Sequence, residues 1–207
     1  MHSLFRSKKT KTKRKSESFY HRENLIQTEF ELSKVLGYLD SAGAIKSKSD
    51  ILFRGIELGS IDKKIMEREL GKEFFLLKPD SNISGHEICF YHISFEGLRF
   101  LAQLHFIDGQ FFFAANKVYS DMFLSDSDKD KIVSRIKNKY CPDADREMIE
   151  FELIDDHGNI LSSNDNVYYF IRYLANNNTS QKLKAKYEGY ERPVAEQENK
   201  NQLDSLI

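Results

Sequence analysis

The stretch from Tyr91 to Lys117 constrains the fold more than any other part of the chain: YHISFEGLRFLAQLHFIDGQFFFAANK. Large apolar residues recur at nearly every other position, which is the period of a β-strand. Asp108-Gly109 is a strong signal for a two-residue hairpin turn, and Glu96-Gly97 is a weaker signal of the same length. The stretch therefore predicts a meander of three antiparallel strands.

Two-residue turns fix which residues face each other across the strands. Across the first turn the predicted pairs are Phe95 with Leu98, Ile93 with Phe100, Tyr91 with Ala102 and Cys89 with Leu104. Across the second turn they are Phe106 with Phe111, Leu104 with Phe113 and Ala102 with Ala115. These residues form one almost wholly apolar side of the sheet, which we call the first face.

The other side of the sheet, which we call the second face, must carry the intervening residues because side chains alternate. They are Ile88, Phe90, His92, Ser94, Arg99, Leu101, Gln103, His105, Phe112, Ala114 and Asn116. Mixed aromatic, apolar and polar side chains are typical of a recognition surface. The predicted partner contacts are Phe90, His92, Arg99, Leu101, Gln103, His105 and Phe112. The plainer alternative is that the first helix or the C-terminal segment of the same chain covers this face.

Three segments have the spacing of amphipathic helices. The segment 23–43 places Leu25, Ile26, Phe30, Val35, Leu36 and Leu39 near one helical stripe and ends near Gly43. Ser60 is the predicted N-cap of a second helix, which Gly71 ends. The run SDSDKDKIVSRIKNKY predicts a third, with acids in its first turn and lysines near its end, as the helix dipole favours.

Shorter signals predict strands in DILFRGIELGS, in EFFLL and twice in MIEFELIDDHGNILSSNDNVYYFIRYL. Beyond ANNNTS the chain reads as a polar tail with little periodicity. The predicted class is α+β, with a mostly antiparallel sheet and helices packed on one face. We expect a basic flexible arm over 1–19, a single domain over 20–178 and a polar tail over 179–207.

The composition favours a folded protein in a reducing compartment. Hydrophobic residues make up 40% of the chain and charged residues 30%, and the two cysteines, Cys89 and Cys141, have no partner at metal-ligand spacing. No apolar run approaches the length of a membrane span, and no apolar core follows the N-terminal charges as in a signal peptide. The expectation is a soluble cytoplasmic protein without a membrane span and without a cofactor.

The net charge of -1 conceals a strong asymmetry. Residues 1–15 contain no acid and seven basic side chains: Arg6, Lys8, Lys9, Lys11, Lys13, Arg14 and Lys15. Residues 181–207 are balanced, which leaves 19 basic and 27 acidic residues between the two ends. A basic block of this kind can neutralise the phosphates of a nucleic acid or of an anionic membrane, and these seven side chains are the predicted nucleic-acid or anion contacts. It can equally be a solvated tail or dock on the acidic body of its own chain.

Motifs that suggest chemistry have simpler explanations. The run DSDKDK resembles a calcium loop, but Lys131 and Lys137 stand where the glycine and the bidentate glutamate belong. The predicted register separates His92 and His105 by roughly 13 Å, too far to share one metal ion. Asp155 and Asp156 beside His157 fit a hairpin turn. The sequence therefore predicts neither a catalytic nor a metal site.

The run GIELGSIDKKIMERELGKEF, from Gly55 to Phe74, resembles the short repeat of the beta-lactamase-inhibitor-protein-like fold, which small lipoproteins of outer-membrane assembly also use. The matching residues are Gly55 or Gly59, Ser60, Leu70 and Gly71, whereas Glu73 stands where the family usually has proline. The resemblance implies a helix-plus-sheet module that binds other proteins through a sheet face and has no active site.

Three functional hypotheses follow. The first is a non-enzymatic interaction module, of adaptor or inhibitor type, that binds a protein through the second face. The second is a nucleic-acid-associated protein that uses the basic arm. The third is an enzyme whose site the sequence does not reveal; a deep pocket that joins His, Asp and Tyr residues would favour it.

Overall fold

The structure is a computed structural model, and it describes residues 25–40, 42–79, 82–119, 124–144 and 149–190. The predicted basic arm lies outside these residues, as does the end of the predicted tail. The helices are α1 (Glu29–Gly37), α2 (Lys63–Leu70), α3 (Asp126–Tyr140) and α4 (Asn178–Tyr187), with short 3-10 helices at Tyr38–Asp40 and Leu58–Ser60. The strands are β1 (Ile45–Lys46), β2 (Leu52–Phe53), β3 (Ile56–Glu57), β4 (Phe75–Leu77), β5 (His86–Phe95), β6 (Leu98–Ile107), β7 (Gln110–Tyr119), β8 (Phe151–Ile154), β9 (Ile160–Asp165) and β10 (Tyr169–Leu174).

Eight of these strands form one sheet in the order β1-β8-β9-β10-β7-β6-β5-β4. All neighbours in it are antiparallel except β1 and β8, which are parallel. The predicted α+β class with a mostly antiparallel sheet is confirmed. The segment 149–174 contributes three strands to the sheet, whereas the sequence predicted two.

The predicted meander is present as three strands of ten residues each. Its first turn has the predicted register, from Phe95 opposite Leu98 to Cys89 opposite Leu104. Both predicted turns have a left-handed first residue followed by glycine: Glu96 has φ 49 and Asp108 has φ 49. Turns of this kind suit the twist of a two-stranded ribbon, and so the short loops set the register.

The register across the second turn is correct only at Phe106 and Phe111. The ladder shifts between His105 and Phe106, so that His105 lies opposite Phe113 and Phe112 is an extra residue. Such a β-bulge exchanges the faces of every residue beyond it. Leu104 therefore faces Ala114 instead of Phe113, and Ala102 faces Asn116 instead of Ala115. Ala114 and Asn116 belong to the first face, contrary to the prediction.

Hydrogen bonds from other elements support the bulge. The backbone carbonyl of Phe112 accepts from the Ala175 N–H at 2.9 Å, and that of Phe111 accepts from the Asn177 side chain at 2.7 Å. These partners are more than sixty residues away along the chain. The bulge is therefore a tertiary feature, which strand periodicity could not reveal.

Helices cover both faces of the sheet, whereas the sequence predicted them on one. On the first face, Met66 of α2 and Ile132 and Val133 of α3 join a core with Leu104 and Phe106. On the second face, Leu32 and Leu36 of α1 and Tyr187 of α4 enclose another set of buried residues. Since α4 begins at Asn178 and packs against α1, ordered structure continues into the segment predicted to be a polar tail.

The helix boundaries differ from the predicted ones where side chains cap the backbone. α1 begins at Glu29, because the Thr28 side chain accepts from the Glu31 N–H in a capping box, and Leu25 and Ile26 precede the helix. α2 is capped by Asp62, not by Ser60, and Gly71 follows its last residue as predicted. α3 is capped by Ser125 and carries acids in its first turn, as predicted.

Candidate partner-binding site

The residues predicted to bind a partner divide into a buried group and an accessible pair. Phe90, Leu101, Gln103, His105 and Phe112 are each at most 3% exposed. His92 is exposed and Arg99 is half-buried. Five of the seven side chains therefore cannot touch a partner without unfolding, and their prediction as contacts is corrected.

The chain itself covers the second face, as the plainer alternative held. Phe112 packs with Ile26, which precedes α1, and with Leu32 and Leu36, which lie in α1. Phe90 and Leu101 pack with Leu25. The buried polar side chains of this face include His86, Gln103, His105 and Lys117.

His105 pairs with a histidine that sequence reasoning overlooked. His86 and His105 bring Nε2 and Nδ1 to 3.1 Å, with the rings stacked beside Phe112 and Phe113. Burial lowers the pKa of His86 to about 4, and burial together with His86 lowers that of His105. Both rings are therefore neutral at pH 7. The correct β5–β6 register already placed His105 opposite Ile88, two residues from His86, so the signal was present.

His92 and Arg99 lie in a small surface cluster at the end of the meander. The ring of Phe74 stacks on His92 with centroids 4.1 Å apart, and the Tyr119 hydroxyl lies 3.2 Å from His92 Nδ1. The Arg99 guanidinium lies over the Tyr119 ring at 4.9 Å. Phe74 is 44% exposed. The sequence predicted neither Phe74 nor Tyr119 as a contact, because each reaches the cluster from another strand or strand end.

The cluster adjoins β5, which extends beyond the end of its neighbour β4. β4 pairs with β5 only through Ile88, Cys89 and Phe90, and β5 continues to Phe95. Gly71 follows α2 with φ 78, and the residues 72–74 between it and β4 are not part of a strand. In the described part of the chain, no strand accompanies Ile93–Phe95 on that side. We call Ile93–Phe95 the open end of β5.

The direction of the backbone groups at the open end follows from the turn. A two-residue turn makes Phe95 and Leu98 a hydrogen-bonded pair, so Ile93 and Phe95 direct their N–H and C=O groups at β6. Ser94, between them, directs its groups away from the sheet. Phe90 lies four residues before Ser94, so its backbone groups point to the same outer side. There the Phe90 carbonyl oxygen accepts a hydrogen bond from the Phe74 N–H at 3.1 Å.

Apolar side chains are accessible at the open end. Phe95 is 51% exposed, and Ile93 is half-buried. Arg135 of α3 lies over the Phe95 ring at 5.2 Å and forms an ion pair with Glu96 in the turn. An unpaired strand edge beside an exposed aromatic ring is a suitable surface for an extended peptide.

Asp155 has a structural role in its turn, and both cysteine thiols are buried. The Asp155 carboxylate accepts hydrogen bonds from the backbone N–H groups of Ile51, His157 and Asn159, which explains the turn without catalysis. Burial raises the pKa of the Cys89 thiol to about 11 and also raises that of Cys141. Within the described residues, no three His, Cys, Asp or Glu side chains are grouped to hold a metal.

No family model, curated protein or solved structure matches this chain. The resemblance to the beta-lactamase-inhibitor-protein-like fold therefore stays a prediction. None of the described helices is long and apolar enough to cross a membrane.

Proposed function

We propose that the protein is a non-enzymatic interaction module that binds an extended segment of a partner protein along the open end of β5. The observation that carries the proposal is that β5 outruns β4 and ends with the outward N–H and C=O of Ser94 beside a half-exposed Phe95. A partner strand gains main-chain hydrogen bonds at such an edge, and alternate side chains supply specificity.

The segment that fits is apolar at alternate positions. Its side chains on the first-face side meet Ile93 and Phe95, and those on the other side meet the cluster of Phe74 and His92. Half-exposed aromatic rings of this kind are typical anchors of protein interfaces. The sequence predicted a partner site on the second face of the sheet. The proposed site lies instead at the open end of β5.

The first experiment removes the outward hydrogen-bond donor. Ser94→Pro removes this N–H, and it leaves the ladder to β6 intact because that N–H does not point at β6. Ser94→Ala is the matched control, since it keeps the N–H. Tagged full-length chains are purified from the cells that naturally produce the protein, and captured proteins are compared. A protein that is retained by wild type and Ser94→Ala but lost from Ser94→Pro supports strand addition; equal retention by all three contradicts it.

The second experiment tests the aromatic anchor. Phe95→Asp places a charge on the accessible ring position, and we expect loss of the same captured protein. Val167→Asp is the control, because Val167 is 88% exposed in the turn between β9 and β10, and this variant also replaces an accessible apolar side chain with a carboxylate. Loss with both variants, or with neither, would contradict a specific role for Phe95.

Nucleic-acid binding by the arm is a second candidate function, supported by its seven basic residues and absence of acid. A chain without residues 1–15 should lose retention on a duplex DNA or RNA column, and retention of the full chain should fall steeply as salt rises. Equal, salt-sensitive retention of both chains would exclude the arm as the cause.

A further inference from the structure

An apolar groove of about 420 Å³ lies between α3 and the first face of the sheet. Its apolar lining comes from the sheet and from α3, and includes Leu98, Phe100, Ile132, Ile136 and Tyr173. The volume falls within the range of ordinary small-molecule sites. Ile93 and Phe95, which the proposed partner segment would contact, also line this groove, so the two proposed sites share these side chains.

The floor of the groove contains an unpartnered polar group. Asn116 is 6% exposed, and its amide oxygen is buried without a hydrogen-bond partner among the described residues. Leaving such a group unsatisfied costs about 1–3 kcal/mol. Asn116 lies on this face only because the bulge at Phe112 exchanges the faces of β7. The amide therefore gives an apolar groove one specific polar contact.

The rim of the groove carries an excess of positive charge. Arg135 is paired with Glu96, and Lys131 is paired with Asp128 at 3.2 Å. Arg54 is exposed and forms no ion pair with any described residue. One cationic group therefore remains to attract an anion.

Arg54 also stands at an unusual backbone position. It is the first residue of the two-residue turn between β2 and β3 and has φ 51, where Asn, Asp and Gly are favoured. Glu96, the acid that holds Arg135, has the same conformation. Long charged side chains thus occupy two strained turns at the rim of one groove, and strain of this kind concentrates at binding sites.

We propose that the groove binds a small carboxylic acid with an apolar body. The body fills the space between α3 and the sheet, and the carboxylate lies at Arg54. The Asn116 oxygen, when a ligand carries a hydroxyl or amide donor, accepts from that donor.

Calorimetric titration with decanoate, below its micelle concentration, tests the proposal. We expect saturable binding of one decanoate per chain. Decanol shares the apolar chain without the charge, and decyltrimethylammonium reverses the charge. Decanoate should bind more tightly than either. No saturable binding of decanoate, or equally tight binding of the cationic probe, would overturn the proposal.

Arg54→Asn tests the role of the cation without endangering the fold, because Asn suits a left-handed turn position better than Arg. We expect decanoate affinity to fall about threefold to fivefold, the effect of one exposed charge pair, and decanol binding to stay unchanged. The matched control is Arg68→Asn on the exposed surface of α2, which should bind decanoate like wild type. Equal loss in both variants contradicts a site at Arg54.

Amide chemical shifts in the ¹⁵N spectrum locate the bound molecule. Decanoate should move the resonances of Leu98, Phe100 and Asn116, which line the groove. Shifts confined to the second face would place the acid elsewhere and overturn the proposal.

Discussion

At the scale of single residues, the buried histidine pair shows how misleading a mixed face can be. His86 and His105 share one hydrogen bond, while the other ring nitrogen of each is buried without a partner in the described structure. Polar residues within the strands were interpreted as a recognition surface, but Gln103 and His105 among them are internal. Alternation specifies which residues share a face, and it does not specify whether that face is covered.

The histidine pair predicts a stability that falls with acid. An unfolded histidine titrates near pH 6.5, whereas the folded pKa of His86 is about 4. Above pH 6.5 both states are neutral. As the pH falls below 6.5 the unfolded chain binds more protons, so the free energy of unfolding decreases. His86 alone should account for about 3 kcal/mol by pH 4.

Urea unfolding at several pH values measures this effect. The double variant His86→Gln with His105→Gln should lose stability less steeply between pH 6.5 and 4 than wild type. His157→Gln is the control, since His157 lies on the surface with its side chain 68% exposed. The same pH slope in wild type and double variant would show that the pair does not titrate as described.

Substitutions at two phenylalanines distinguish a residue needed for folding from one proposed to bind a partner. Phe112 is fully buried and Phe95 is 51% exposed. Phe112→Asp buries a charge at a cost of several kcal/mol and should abolish the cooperative thermal transition. Phe95→Asp should keep a melting temperature within a few degrees of wild type. Circular dichroism on heating checks both, and a folded Phe112→Asp chain would restore the second face as an accessible surface.

At the scale of elements, the sequence predicts local features well and tertiary ones poorly. Glu96-Gly97 and Asp108-Gly109 predicted both turns, and the β5–β6 register followed from the first. The bulge at Phe112 could not be predicted, because Phe111, Phe112 and Phe113 are equally apolar and fit either face. The open end of β5 depends on where β4 stops, which a strand's own sequence does not reveal.

The beginning of α1 gives a prediction about a single element. Thr28 accepts from the Glu31 N–H at 3.2 Å, and the Glu31 carboxylate accepts from the Thr28 N–H at 2.9 Å. Thr28→Ala should lower the free energy of unfolding by about 1 kcal/mol, whereas Thr28→Ser should keep it. Urea unfolding at neutral pH compares them. Equal stability of the two variants would mean that the cap does not stabilise α1 measurably.

At the scale of the whole molecule, two helical layers enclose one sheet. α4 completes the second layer, with Tyr187 buried and Lys184 paired with Asp40 beside α1. A chain ending at Tyr190 and a chain ending at Asn177 differ by α4, and the shorter one should be less stable by about 3 kcal/mol or more. Thermal and urea unfolding of the two measure the difference. Equal stability would mean that α4 is dispensable to the domain.

The central claim is that β5 presents an open edge, and amide hydrogen exchange tests it most directly. In the isolated full-length protein, the Ile93 amide should be protected, because it is paired with Phe100 of β6. The Ser94 amide should exchange near the rate of an unstructured peptide, because it points away from the sheet. Fast exchange at Ser94 beside slow exchange at Ile93 would agree with an edge that is open to a partner strand. Equal protection of the two amides would show that the edge is already covered and would contradict the account.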